Sequence, residues 1–252
     1  MRCALWLGAA LVLHAARAQD SYEIQVYPAE TVPTGETMVE LHSNYTFDGI
    51  HPTTDGTVPN YHALHETIEV THGFTDWFET GFYIFTSVQP GYGWEWVGDH
   101  IRPRVSVPKS WDWPVGLSLS TEVGYQRPLF SSDPWSWEIR PIIDKQIGPL
   151  YLAINPAMDK SFRGHNSNRG FDCSPSGKVS YDLTKQIAVG VEYYSTLGPI
   201  TRLDPWREQT HQIFPTLDLN LGPKWEFNFG VGVGLTPSTD GLTVKLILGR
   251  RF

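Results

Sequence analysis

Cysteine is almost missing from this chain of 252 residues, which holds only Cys3 and Cys173. Cys3 lies in a leader that export removes, so the mature chain can form no internal disulfide and must be held by other means. Long apolar runs are also missing beyond the leader, which excludes a membrane-spanning helix of about 20 residues. Extended amphipathic patterns of helical period are absent as well. Basic residues are scarce, with 19 Lys and Arg against 27 Asp and Glu. Without Arg2 and Arg17 of the leader, 17 face 27 and the mature charge is near −10. Such a balance excludes nucleic acid as a partner.

The leader reads "MRCALWLGAALVLHAARAQD". Arg2 precedes an apolar run from Ala4 to Leu13, and Ala16-Arg17-Ala18 supplies a small-residue cleavage site. These are the parts of a secretory signal peptide, with cleavage after Ala18. Cys3 precedes the apolar run rather than closing it, which argues against a lipid anchor. The reading divides the chain into a signal peptide (1–18), an extended N-terminal segment (19–36, "QDSYEIQVYPAETVPTG" and Glu36) and one further domain (37–252).

Aromatic residues are plentiful, at 13% of the chain, and glycine reaches 23 residues. The final stretch, "TVKLILGRRF", sets the pattern. Leu242, Val244, Leu246, Leu248 and Phe252 share one parity, and Thr243, Lys245, Gly249 and Arg251 the other. Period 2 is a strand with an apolar and a wet face. Comparable segments run at about 37–48, 61–72, 77–87, 97–107, 115–127, 135–146, 150–157, 171–182, 187–197, 209–220, 225–235 and 241–252. Their connections alternate. "HGFTD", "PKSWDWP", "IGP", "LTKQ" and "LGPK" are short, while "DGIHPTTDGTVPN", "SVQPGYGWEW", "RPLFSSDP", "MDKSFRGHNSNRG" and "LGPITRLDPWRE" are longer. Short turns on one rim and long loops on the other, with apolar faces about 10 residues long that end in Trp or Tyr, predict an all-β fold. Its form is a transmembrane antiparallel β-barrel of about 12 strands. Pro103, Pro141, Pro175 and Pro215 fall inside these segments and mark either irregularities or strand ends.

Phe252, preceded by alternating Leu248, Leu246 and Val244, resembles the carboxyl-terminal assembly signal of Gram-negative outer-membrane β-barrels. Arg250 departs from that pattern, and snorkelling at the interface accommodates it. The stretch "VTHGFTDWFETGFYI" more loosely resembles the turn-and-strand repeat of uncharacterised porin-like proteins linked to phenol-degradation clusters. The resemblance implies an outer-membrane location, contact with membrane lipid and lipopolysaccharide, delivery by the barrel assembly machinery, and a narrow channel for small-molecule solutes without a cofactor. Under it, the segment 19–36 lies either in the periplasm or in the lumen.

The wet parity of the strands carries the chemistry. Glu40 and His42, His65 and Glu69, Arg102 and Arg104, Glu122, and Glu138 and Arg140 succeed one another, followed by Lys178, Glu192, Asp218, Glu226 and Lys245. Two readings stand together: a salt-bridge ladder that fills a narrow barrel, and a constriction that selects solutes by charge. The constriction residues are Arg102, Arg104, Glu122, Glu138, Arg140, Glu69 and His65. In "YHALHETIEVTH", His62 and His65 fall on opposite faces. His65, Glu69 and His42 can meet in the lumen, but spacing fixes no ligand geometry, and no metal site is expected. The glycines of "GVGVG" share a strand face and read as space left in the lumen. One enzymatic alternative remains. His165-Asn166-Ser167-Asn168 matches the H-x-S-N pattern of outer-membrane phospholipase and lipid A deacylase barrels. On a strand, His165 would reach Ser167 as a general base. Where those families place the orienting third residue, twelve after the serine, this chain has Val179.

Overall fold

The computed structural model describes residues 21–51 and 56–252. The expected signal peptide and its cleavage after Ala18 lie outside the described residues. Twelve long antiparallel strands close into a barrel: β1 (Thr37–Asp48), β2 (Leu64–Gly73), β3 (Phe78–Gln89), β4 (Gly93–Ser106), β5 (Gly116–Gln126), β6 (Trp135–Ile147), β7 (Leu150–Arg163), β8 (Asp172–Asp182), β9 (Ile187–Thr196), β11 (Thr210–Leu219), β12 (Trp225–Gly234) and β13 (Leu242–Arg251). The two-residue β10 (Gly198–Pro199) only extends the edge of β8 in the β9–β11 loop. Consecutive strands pair, and β1 meets β13 to close the ring. At the seam the Phe252 amide donates to the Thr37 carbonyl at 2.8 Å, and Thr37 returns the bond at 3.1 Å. A closed ring leaves no unpaired strand edge, which a sheet in hydrocarbon requires.

The two faces divide as the sequence parity requires. Val70, Ile84, Leu119, Val123, Ile154, Val231 and Leu248 stand exposed on the outer wall. His42, Glu69, Arg102, Ser120, Glu192 and Lys245 are buried inside it. Among the described residues, buried polar side chains outnumber buried apolar ones. That is the inverse of a soluble core and the arrangement of a membrane barrel. Exposed aromatics mark both rims: Phe74, Trp77, Trp111, Trp113, Trp225 and Phe252 at the short turns, and Trp94, Trp96, Trp135, Phe162 and Trp206 at the other end. Arg250 places its guanidinium 5.1 Å from both the Trp225 and Phe252 ring centroids, so its charge rests on aromatic faces at the rim.

Two local expectations are corrected. "SVQPGYGWEW" forms no long loop, because β3 and β4 run on to Gln89 and Gly93 and meet in a tight turn with Tyr92 N bonded to Gln89 O. β7 continues to Arg163 and takes up much of the next expected loop. The prolines are true strand residues. Around Pro103 the β4–β5 ladder skips from Ile101 to Arg104, and around Pro215 the β11–β12 ladder skips from Ile213 to Thr216. A residue without an amide hydrogen costs ladder bonds without ending the strand.

Candidate functional site

The N-terminal segment settles in the lumen. From Gly35, where φ of +79° turns the chain, it passes under the rim and runs back inside β1 towards Ser21. At the entry Gly73 is obligatory, since any Cβ there would overlap the carbonyl oxygens of Val32 and Pro33. The segment has no backbone ladder, so its polar groups must find other partners. Wall side chains supply them. Asn44 donates to Ser21 O at 3.0 Å, Thr67 to Tyr22 O at 2.7 Å and Lys245 to Ile24 O at 3.0 Å. Asn155 bonds both the amide and the carbonyl of Tyr27, at 2.7 and 3.1 Å. Arg104 holds Pro28 O and Glu30 O, each at 2.8 Å. Asp144 accepts from the Ala29 amide at 2.9 Å, and Glu79 from the Val32 amide at 2.6 Å.

The segment's side chains then explain the apolar residues that point into a polar lumen. Ile24 and Val26 pack on Ala153, Tyr194 and Phe214. Tyr22 packs on Tyr83, Phe85 and Val97. Tyr27 and Ala29 pack on Ile142. Phe214 lies over Gly232, which shows why "GVGVG" must leave that face bare. The Tyr27 ring sits between two guanidinium groups, Arg102 at 4.6 Å and Arg140 at 4.8 Å from its centroid. Its hydroxyl bonds Glu23 and lies 3.1 Å from the Tyr83 hydroxyl.

The charged residues read from the sequence gather around this segment. Arg102 bridges Glu69 at 2.6 Å and Glu79 at 3.5 Å, and Arg104 bridges Glu79 at 2.7 Å. Arg140 pairs with Glu138 at 2.7 Å and reaches Glu23 of the segment at 3.5 Å. Glu122 pairs with His100. His65 lies 3.2 Å from Asn60 and packs edge-on against Tyr22. A second network links Lys178 to Glu192 and Asp218 at 3.1 and 2.8 Å, and Lys245 to Glu192. Sequence reasoning missed Glu79, Tyr83, Asn155 and Tyr27. The usable signal was apolar residues on the wet parity, as in "GFYIF", where Tyr83 and Phe85 fall inside.

His165 and Ser167 meet a different local structure. Residues 164–169 form a turn rather than a strand, so the shared-face argument does not hold there. The Ser167 hydroxyl donates to Gly164 O at 2.9 Å, and Asn166 anchors the turn on Asp133.

The closed twelve-stranded ring with its inverted faces is a porin-like β-barrel fold. No family model matches the chain, and no curated protein matches its sequence. Solved structures do. The chain is similar in fold to the COG4313 outer membrane channel from Pseudomonas putida F1, with 11% identity over 91% of this chain and 100% of that one, TM-score 0.60. The KdgM porin gives 10% identity over 85% and 99%, TM-score 0.55. The NanC porin gives 9% over 84% and 97%, TM-score 0.55.

Proposed function

We propose that the chain is an outer-membrane channel for small polar solutes whose passage is closed by its own N-terminal segment. The observation that carries this reading is the segment itself, threaded along the lumen and clasped at Tyr27 between Arg102 and Arg140. The porin-like fold and the outward apolar band support the membrane location. The carboxyl-terminal Phe252 supports delivery by the barrel assembly machinery into lipid and lipopolysaccharide, and the stretch around Thr75 remains the basis for kinship with the phenol-cluster porin-like proteins.

The energetics favour a movable closure. Burial of Tyr22, Ile24, Val26 and Tyr27 contributes about 8 kcal/mol. The dozen or so hydrogen bonds to wall groups add about 12 kcal/mol at ~1 kcal/mol each. Ordering residues 21–32 costs roughly 18 kcal/mol at ~1.5 kcal/mol per residue. The docked state is therefore ahead by only a few kcal/mol, a gap within reach of a population shift. Wall carboxylates outnumber the cationic groups Arg102, Arg104, Arg140, Lys178 and Lys245, so an emptied lumen favours cations over anions.

Planar-bilayer recordings of wild type and of a variant lacking residues 22–31 test the proposal, with heat-modifiable gel mobility reporting the folded barrel. The expected result is a mostly closed wild type and a persistently conducting, cation-preferring deletion variant. A folded deletion variant that conducts nothing would overturn it.

A further inference from the structure

One corner of the lumen wall holds charge without sufficient partners. β1 and β2 pair so that Glu40 stands opposite Glu69, and His42 follows Glu40 on the same inward face two residues on. The three side chains offer donor atoms that all lie within 4.8 Å of one another. Glu40 is 6% exposed, and His42 and Glu69 are fully buried. Glu40 Oε1, both ring nitrogens of His42 and Glu69 Oε2 have no hydrogen-bond partner. His42 Nε2 and Glu69 Oε2 face each other at 3.3 Å. Buried polar atoms in native proteins are nearly always satisfied, and two carboxylates and an imidazole left with orphaned atoms in one corner need an explanation.

We propose that Glu40, His42 and Glu69 form a site for a borderline divalent cation of the Zn²⁺ or Co²⁺ kind. One imidazole and two carboxylates are the donor set such ions take, whereas Mg²⁺ and Ca²⁺ prefer all-oxygen shells of six or more ligands. Ligands about 2.1 Å from a common ion lie roughly 3.4–4.2 Å apart, so donors up to 4.8 Å apart need to close by at most roughly 1.4 Å. The outer contacts are already in place. Glu69 Oε1 is held by Arg102 at 2.6 Å and by Thr71 at 2.6 Å, which fixes the carboxylate and turns Oε2 to the site. Glu226 approaches the same corner across Gly249, where a Cβ would lie 2.9 Å from Glu40 Cγ and 3.2 Å from Glu226 Cβ. Three carboxylates share this corner, and Arg102, the cation paired with Glu69, is also engaged by Glu79. A bound divalent ion balances that charge. The sequence reading brought His42 and Glu69 together with His65 and expected no metal; the β1–β2 register instead sets Glu40 opposite Glu69, while His65 turns to Asn60.

The test is metal retention by the whole folded barrel. Wild type, Glu40→Gln and His42→Asn are refolded into detergent with Zn²⁺, then with Co²⁺, freed of excess ion by gel filtration and analysed by elemental mass spectrometry. Heat-modifiable mobility confirms that each barrel is folded. The expected result is about one ion per wild-type barrel, a Co²⁺ absorption band of nitrogen–oxygen type, and affinity at least ~100-fold weaker in both variants. Absence of retained ion in folded wild type overturns the proposal. Retention unchanged in both variants, or lost in only one, also overturns it by placing the ion elsewhere, for instance on the exposed imidazoles near His51 and His62.

Discussion

Replacing Tyr27 with alanine attacks the proposed closure at its most loaded point. The ring is buried among Arg102, Arg140 and Ile142, and its hydroxyl contacts Glu23 and Tyr83. Truncating a buried aromatic to alanine costs about 3–5 kcal/mol. The cation–π contacts with Arg102 and Arg140 are part of that loss at ~0.5–2 kcal/mol each. A working figure of about 4 kcal/mol shifts the docked–undocked equilibrium roughly a thousandfold, since each 1.4 kcal/mol is about a factor of ten. The docked state leads by only a few kcal/mol, so Tyr27→Ala should leave the segment mostly undocked. The barrel wall makes its own ladder and keeps its heat-modifiable mobility. Single-channel recordings should show open probability rising from a rare event to the dominant state, and the segment should become cleavable by added protease in liposomes. A folded Tyr27→Ala barrel with wild-type closure and protection would refute the reasoning, because the closure is argued from the clasp on Tyr27.

Three further perturbations have stated outcomes. Deleting Phe252 removes the two backbone bonds to Thr37 and the ring under Arg250, and should lower assembled barrel in outer-membrane fractions while degraded material accumulates. Neutralising Arg102 and Arg104 together leaves Glu69 and Glu79 buried without their main partners. Urea titration should show a loss of about 3–5 kcal/mol, and the residual folded channel should turn further toward cations in reversal-potential measurements. Burial in the β12–β13 turn raises the Asp240 carboxyl above its ordinary range, against hydrogen bonds from the Ile50 amide and Asn60. A raised folded value means that the unfolded chain ionises first, so stability falls as pH climbs from about 4 through the folded value. Asp240→Asn should flatten that slope in pH-dependent heat-modification midpoints.

The strand pattern was legible because every wall strand is two-faced and each face meets one solvent. The closing stretch from Leu242, the alternation in β5 and the glycines of β12 all fell on the side their parity required. Turn length was harder. Gly91 and Gly93, both with positive φ, let β3 and β4 continue almost to their joining turn, so a polar, glycine-rich run looked longer than the loop it makes. The lumen partners were readable only as a set of charges. That Arg102 serves both Glu69 and Glu79, or that Glu40 faces Glu69, follows from register between strands, which no single-strand pattern contains. The N-terminal segment was the least legible part. "YEIQVY" alternates like a strand but pairs with none, and its burial depends on wall residues more than a hundred positions away.

Those separations dictate an order of events during biogenesis. Ile24 reaches Lys245 across 221 residues, Gln25 reaches Glu226 across 201, and Tyr27 reaches Asn155 across 128. Contacts of such reach cannot form until the late strands exist and have taken their register, and their loop-closure cost is met only then. Under the proposed closure, the barrel is built hollow and stoppered afterwards. Each newly inserted molecule passes through an interval as an unsealed hole, whose duration is set by how fast one short strand of chain finds its way inside.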